Sequence, residues 1–156
     1  MNAVTTAAPA IPAAAIDQLR LLGETALRAL GPAHETFTHE TRGPYLEKWR
    51  LASEVDGSAT LIHRFLRSDG DEELHDHPWD NRTLVLSGGY WEVTPEGRRW
   101  LAPGDIVHRS AGDFHRVELE PGITPLTVFW HGPKVNAWGF RGADGEKISA
   151  AEFFAR

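Results

Sequence analysis

"LHDHPWDNRTLVLSGGYWE", residues 74–92, is the stretch on which the reading of this chain turns. His75 and His77 stand one residue apart, followed by Asp80, a run of strand formers and the pair Gly88-Gly89. On a strand, side chains alternate with period two, so both imidazoles would share a face and form a two-nitrogen clamp. Two ligands rarely suffice for a metal. A third nitrogen donor arrives downstream as His115, in "GDIVHRSAGDFHRVEL", residues 104–119. Taken singly, each of these histidines is more often a polar residue at a loop edge or on the surface than a ligand.

Composition narrows the chemistry. The 156 residues are enough for one domain with a real core, since a chain of about 150 residues buries roughly two thirds of its unfolded surface. No apolar run approaches the roughly 20 residues a membrane helix needs. A formal charge of -6, from 22 acids against 16 bases, argues against a phosphate-backbone binder, so nucleic acid is not expected as a partner. The absence of cysteine excludes disulfides, thiolate metal sites and a cysteine nucleophile. Any metal here must take nitrogen and oxygen ligands.

The opening "MNAVTTAAPAIPAAA" lacks the basic n-region and continuous apolar core of a signal peptide, which reads as a cytoplasmic protein with a disordered tail over 1–15. A helix is expected over 16–31, with Ile16, Leu19, Leu22, Ala26 and Leu30 on one face and Gly31-Pro32 as its stop. From His34 the pattern changes to short runs bounded by turn residues, including "YLEKWRLAS", "ATLIHRFLR", "LHDH", "RTLVLSG", "YWEVTP" and "LTVFWHG". That spacing predicts an all-β sandwich or barrel over 34–156. The C-terminal "SAAEFFAR" predicts a short helix, with Ser149 as N-cap and Phe153 and Phe154 tucked inward.

Residues 75–88 read H-x-H, three residues, Asn81, six residues, Gly88; residues 104–115 read Gly104, five residues, Ser110-Ala-Gly112, two residues, His115. In order and separation these resemble the two motifs of the cupin superfamily, over about residues 45–131. The resemblance implies a cupin-type jelly-roll β-barrel, with the N-terminal helix packed outside it, and a mononuclear metal held by His75, His77 and His115. Asn81 stands where most metal cupins have glutamate, which makes the site similar to three-histidine cupins, with Asn81 loosely on the metal or Asp80 swinging in instead. Ser110 replaces the usual proline. Amidohydrolase-type H-x-H, by contrast, opens a barrel that needs about 250 residues.

Three-histidine cupins include dioxygenases, so the resemblance implies Fe(II) and dioxygen chemistry, although the ligand set alone equally suits Zn, Ni, Mn or Co. A metal isomerase, epimerase or lyase, with His63 or His131 moving the proton, and a non-enzymatic ligand-binding cupin are the alternatives. Homodimers through outer strands are common in the superfamily. On the strand 59–67, either His63, Phe65 and Arg67 or Ile62, Arg64 and Leu66 face inward. Arg64, Arg67, Arg109, Trp91 and His131 are the candidate substrate-binding residues. An arginine buried beside a cation needs an anion between them, so an inward arginine predicts a small anionic substrate.

Overall fold

The computed structural model describes residues 11–39, 42–70 and 73–155. Helix α1 (Ala13–Leu30) precedes β1 (Glu35–His39), β2 (Gly43–Ser53), β3 (Ala59–Phe65), β4 (Asn81–Ser87), β5 (Tyr90–Thr94), β6 (Gly97–Leu101), β7 (Ile106–Arg109), β8 (Arg116–Glu118) and β9 (Leu126–His131). A hairpin of β10 (Gly139–Arg141) and β11 (Lys147–Ser149) leads into α2 (Ala150–Phe154).

Antiparallel pairing builds a six-stranded sheet, β1-β2-β3-β9-β4-β7, facing a three-stranded sheet, β6-β5-β8. Among the described residues these sheets do not join into one closed barrel; the architecture is two facing sheets. Alternation along β4 decides what lies between them. Val85 of β4 and Val107 of β7 meet Tyr90, Leu101 and Val117 of the opposing sheet in one buried cluster. Gly88 and Gly89 make the turn from one sheet to the other at φ 81° and 96°, a region that costs glycine nothing. A Cβ on Gly89 would lie 2.5 Å from the Trp100 ring and 2.8 Å from the Leu101 carbonyl oxygen, so the double glycine is required by close approach as well as by φ.

The outer face of the large sheet is apolar because α1 covers it. Trp49, Ile62, Leu86 and Leu126 are buried beneath Leu19, Ala26, Leu27 and Leu30, each large side chain contributing roughly 1.5–3 kcal/mol. Gly23 is buried at the contact, and a Cβ there would stand 2.5 Å from Leu126 Cδ2. Gly31 closes the helix at φ 72°, and its carbonyl accepts a hydrogen bond from Trp49 Nε1 at 2.9 Å. The helix begins three residues before the expected 16, so 13–15 are helical rather than tail; residues 1–10 lie outside the described residues. Leu22 is 63% exposed and does not join the packed face. At the other end, Ser149 and Glu152 form a capping box, and the Phe153 ring stacks on Phe140 at 3.8 Å. Phe154 is largely exposed, reaching Phe140 only edge-on.

The β10–β11 hairpin was not legible in the sequence. Asp76, fully buried between the two motif histidines, accepts a hydrogen bond from the Gly139 amide at 2.8 Å and pairs with Lys147. It staples that hairpin to the histidine segment.

Candidate metal centre

The histidine segment is not a regular strand. Only His75 pairs, in an isolated bridge to His115 and to Phe140. His75 and His115 exchange backbone hydrogen bonds at 2.9 and 2.8 Å, and the Gly112 amide donates to the His77 carbonyl at 3.2 Å. The two sequence motifs are therefore locked to each other through their main chains. The rings converge: the centroids of His75, His77 and His115 are 4.9–5.3 Å apart, and their donor nitrogens all lie within 4.8 Å of one another.

This donor set fits a divalent transition ion. His77 Nε2 and His115 Nε2 are 2.9 Å apart, which matches two adjacent ligands at right angles, since metal–nitrogen bonds of about 2.1 Å place them about 3 Å apart. Without an ion, the same spacing suits an N–H···N hydrogen bond. The orientation of His115 favours ligation. Its Nδ1 faces Glu92 Oε1 at 3.4 Å, the type of carboxylate contact that keeps the proton on Nδ1 and leaves the Nε2 lone pair for a metal. His75 Nδ1 lies 3.9 Å from Asp69 Oδ2.

Glu92 is the site residue that the sequence reading missed. It sits on β5, fully buried, on the same face as Tyr90, and takes Arg109 Nε at 2.6 Å and Arg99 Nε at 2.8 Å. Its signal in the sequence is a lone acid at an inward β5 position, visible only once β5 and β7 are known to face each other. Burial pushes its carboxyl up, but the adjacent His115 ring, the charge of Arg109 and the hydrogen bond from Arg99 outweigh that and hold it at about 2. Burial, resisted by Glu92, lowers His115 to about 3, and burial together with the neighbouring histidines lowers His77 well below the usual imidazole range. Both rings are neutral, the form a ligand must have.

Of the candidate substrate residues, Arg109 and His131 lie in the interior. Arg109 is buried and bound by Glu92, and it also donates to Asn81 Oδ1 at 3.3 Å and Thr83 Oγ1 at 3.2 Å. The anion that its burial required is thus the protein's own carboxylate, and Arg109 by itself gives no argument for an anionic substrate. His131 stacks on Trp79 at 4.4 Å, which in turn stacks on His77 at 5.4 Å, forming one aromatic wall with Phe129. The other three face away. Arg64 pairs with Glu47 and lies over Trp49, Arg67 is exposed, and Trp91 points outward to Trp100, Arg98 and Glu120. On β3 the inward set is His63 and Phe65, which contact Phe129 and Tyr90. Asp80 does not swing in; its carboxylate accepts from the Ala111 amide at 2.8 Å. An open cleft of about 700 Å³ between β5–β6 and β7 reaches His115, Glu92 and Arg109.

The Arg109 contact bears on Asn81. With its Oδ1 engaged by a guanidinium, Asn81→Ala is expected to keep metal affinity within about tenfold of wild type, the small end of what outer partners contribute. Metal titration checks this; a loss as large as that of a histidine variant would make Asn81 a true ligand.

No family model matches the chain and no curated protein is similar to it in sequence. Solved structures do match. A cupin-like protein from Thermotoga maritima aligns with TM-score 0.54 at 14% identity, over 81% of this chain and 95% of that one. The polyketide cyclase RemF from Streptomyces resistomycificus aligns with TM-score 0.52 at 19% identity, over 60% and 69%. A candidate mannose-6-phosphate isomerase from Ralstonia eutropha aligns with TM-score 0.51 at 19% identity, over 64% and 93%. At these identities the likeness speaks for the fold, which the two motifs and the facing sheets also indicate: this chain has the cupin fold.

Proposed function

We propose that the chain is a mononuclear metal enzyme of jelly-roll cupin type, holding Fe(II) through His75, His77 and His115 and acting as an oxygenase on a small anionic substrate. The observation that carries the metal reading is the convergence of three nitrogen donors within 4.8 Å, with no carboxylate in the set. Bound there, Fe(II) would supply dioxygen activation while keeping its full +2 charge and open coordination positions. The chain's own residues do the rest. Glu92 fixes the His115 tautomer, and the Trp79–Phe129–His131 wall excludes water from one side.

One observation favours a second reading. His63 is buried and its Nε2 has no hydrogen-bond partner among the described residues, which leaves that nitrogen available to a substrate proton in an isomerase, lyase or cyclase. The candidate isomerase and the cyclase among the similar structures have the same fold.

Elemental analysis of anaerobically purified protein, followed by an oxygen-uptake screen over small thiols, amino acids and keto acids, separates the two. For an oxygenase, nitric oxide binds the Fe(II) protein, substrate consumes oxygen, and Zn(II) replacement abolishes turnover. Anaerobic turnover at an undiminished rate, retained with Zn(II), Ni(II) or Mn(II), would establish the second reading in its place. No turnover with any metal would leave a ligand-binding protein.

A further inference from the structure

The strand registers of the large sheet align a file of polar side chains. Glu35 of β1 is opposite Lys48 of β2, Lys48 is opposite His63 of β3, His63 is opposite Thr127 of β9, and Thr127 is opposite Val85 of β4. Directly opposite residues share a face, with Cβ atoms about 5 Å apart. Val85 lies in the core between the sheets, so the whole file is on the inner face. It runs from the exposed Glu35 at the sheet edge to fully buried Thr127.

Three members of this file are unmatched. His63 and Thr127 are 7% and 0% exposed, and neither His63 Nε2 nor Thr127 Oγ1 has a hydrogen-bond partner among the described residues. Buried polar atoms of this kind are costly when unpaired, and here two stand side by side. Lys48, half-buried, makes no ion pair among the described residues; its ammonium sits 3.8 Å over the Phe37 ring. Glu35 and Arg50 are the charged groups that act on it. Unlike Arg109, it has no carboxylate from the protein in contact with it.

We propose that Lys48, His63 and Thr127 form a subsite for the carboxylate of a small ligand, on the inner face of the sheet and one aromatic ring away from the histidine cluster. All three groups can donate a hydrogen bond: the ammonium, the neutral imidazole through Nε2–H, and the hydroxyl. Two carboxylate oxygens can accept all of them, and the anion would add to the single opposite charge, Glu35, that acts on Lys48. Phe129 stacks on His63 at 4.7 Å and approaches His77 at 6.2 Å, so a molecule anchored here would pass beside that ring to reach the cluster. That this ligand is the substrate rests on the metal-enzyme reading; that the subsite binds carboxylate does not.

The test uses full-length, metal-free protein with ¹⁵N-labelled histidine, titrated with acetate and, as a neutral isostere, with acetamide. His63→Gln identifies the His63 ring resonances. Acetate is expected to shift them saturably and acetamide is not. Lys48→Met should weaken acetate binding about tenfold, the loss of one charge-assisted hydrogen bond, and Lys48→Arg should retain it. Thr127→Val, which keeps the size of the side chain, supplies an independent loss should Lys48→Met unfold. Equal responses to acetate and acetamide, no response to either, or undiminished acetate binding in both Lys48→Met and Thr127→Val would overturn the subsite. Failure of the metal reading would look different: no metal uptake, with the acetate response intact.

Discussion

His115→Ala protein should fold and yet take up almost no metal. The variant removes one of three nitrogen donors, and its loss of affinity should exceed the about 10–100-fold that outer-shell changes cost. His75→Ala and His77→Ala should behave alike, whereas Glu92→Gln should fall within that 10–100-fold range by releasing the His115 tautomer. Acid should also strip the site, because protons compete for the same nitrogens. Burial and their neighbours hold His77 and His115 below the ordinary value of 6.5, His115 at about 3. The neutral, ligating form of both rings therefore persists below pH 6.5 and is lost only as pH falls toward those lowered values. Metal content measured after equilibration across this range checks the direction: release beginning above 6.5 would show that the rings are solvated, and full occupancy in any one histidine variant would defeat the metal assignment.

The second large effect concerns stability. Arg109→Met should lower the unfolding free energy by about 3 kcal/mol, the lower part of the range for breaking one side of a buried ion pair. Glu92 is fully buried and would keep only the His115 ring and Arg99, whose side chain is 58% exposed, while Asn81 and Thr83 would lose a donor. A Glu92→Gln/Arg109→Met double variant should recover part of that loss, since no unpaired charge is left buried. Urea unfolding of the single and double variants measures both values. A single variant as stable as wild type would mean that solvent enters the cleft freely and screens Glu92.

The two motifs were legible because each depends on local spacing. H-x-H, the paired glycines and the downstream histidine are fixed by which residues the turns and ligand positions tolerate, and a linear sequence records that directly. Helix α1 was legible for the same reason, through its period and its Gly31 stop. The side chains around the histidines were harder to read. Arg64 and Trp91 were candidate pocket residues only because parity on β3 and β5 has no absolute origin until one neighbour is fixed: a shift of one residue exchanges the two faces. Because α1 covers the outer face of the large sheet, both faces of β3 are apolar, and alternation there no longer separates inside from outside. Asp76 and Glu92 escaped notice because their partners, Lys147 and Arg109, lie 71 and 17 residues away.

The sequence by itself determined that the chain is mostly β, that no thiolate can serve it, and that three histidines stand at cupin spacing. These follow from residue type and local order. Only the tertiary structure decided that Arg109 is answered by Glu92 rather than by a substrate, that Asp76 is a staple and not a ligand, and that Lys48, His63 and Thr127 stand in one row. Each of these is a meeting between distant strands, set by register and by which sheet faces which, and hydrogen-bond registers across a sheet are written in no single segment of the chain.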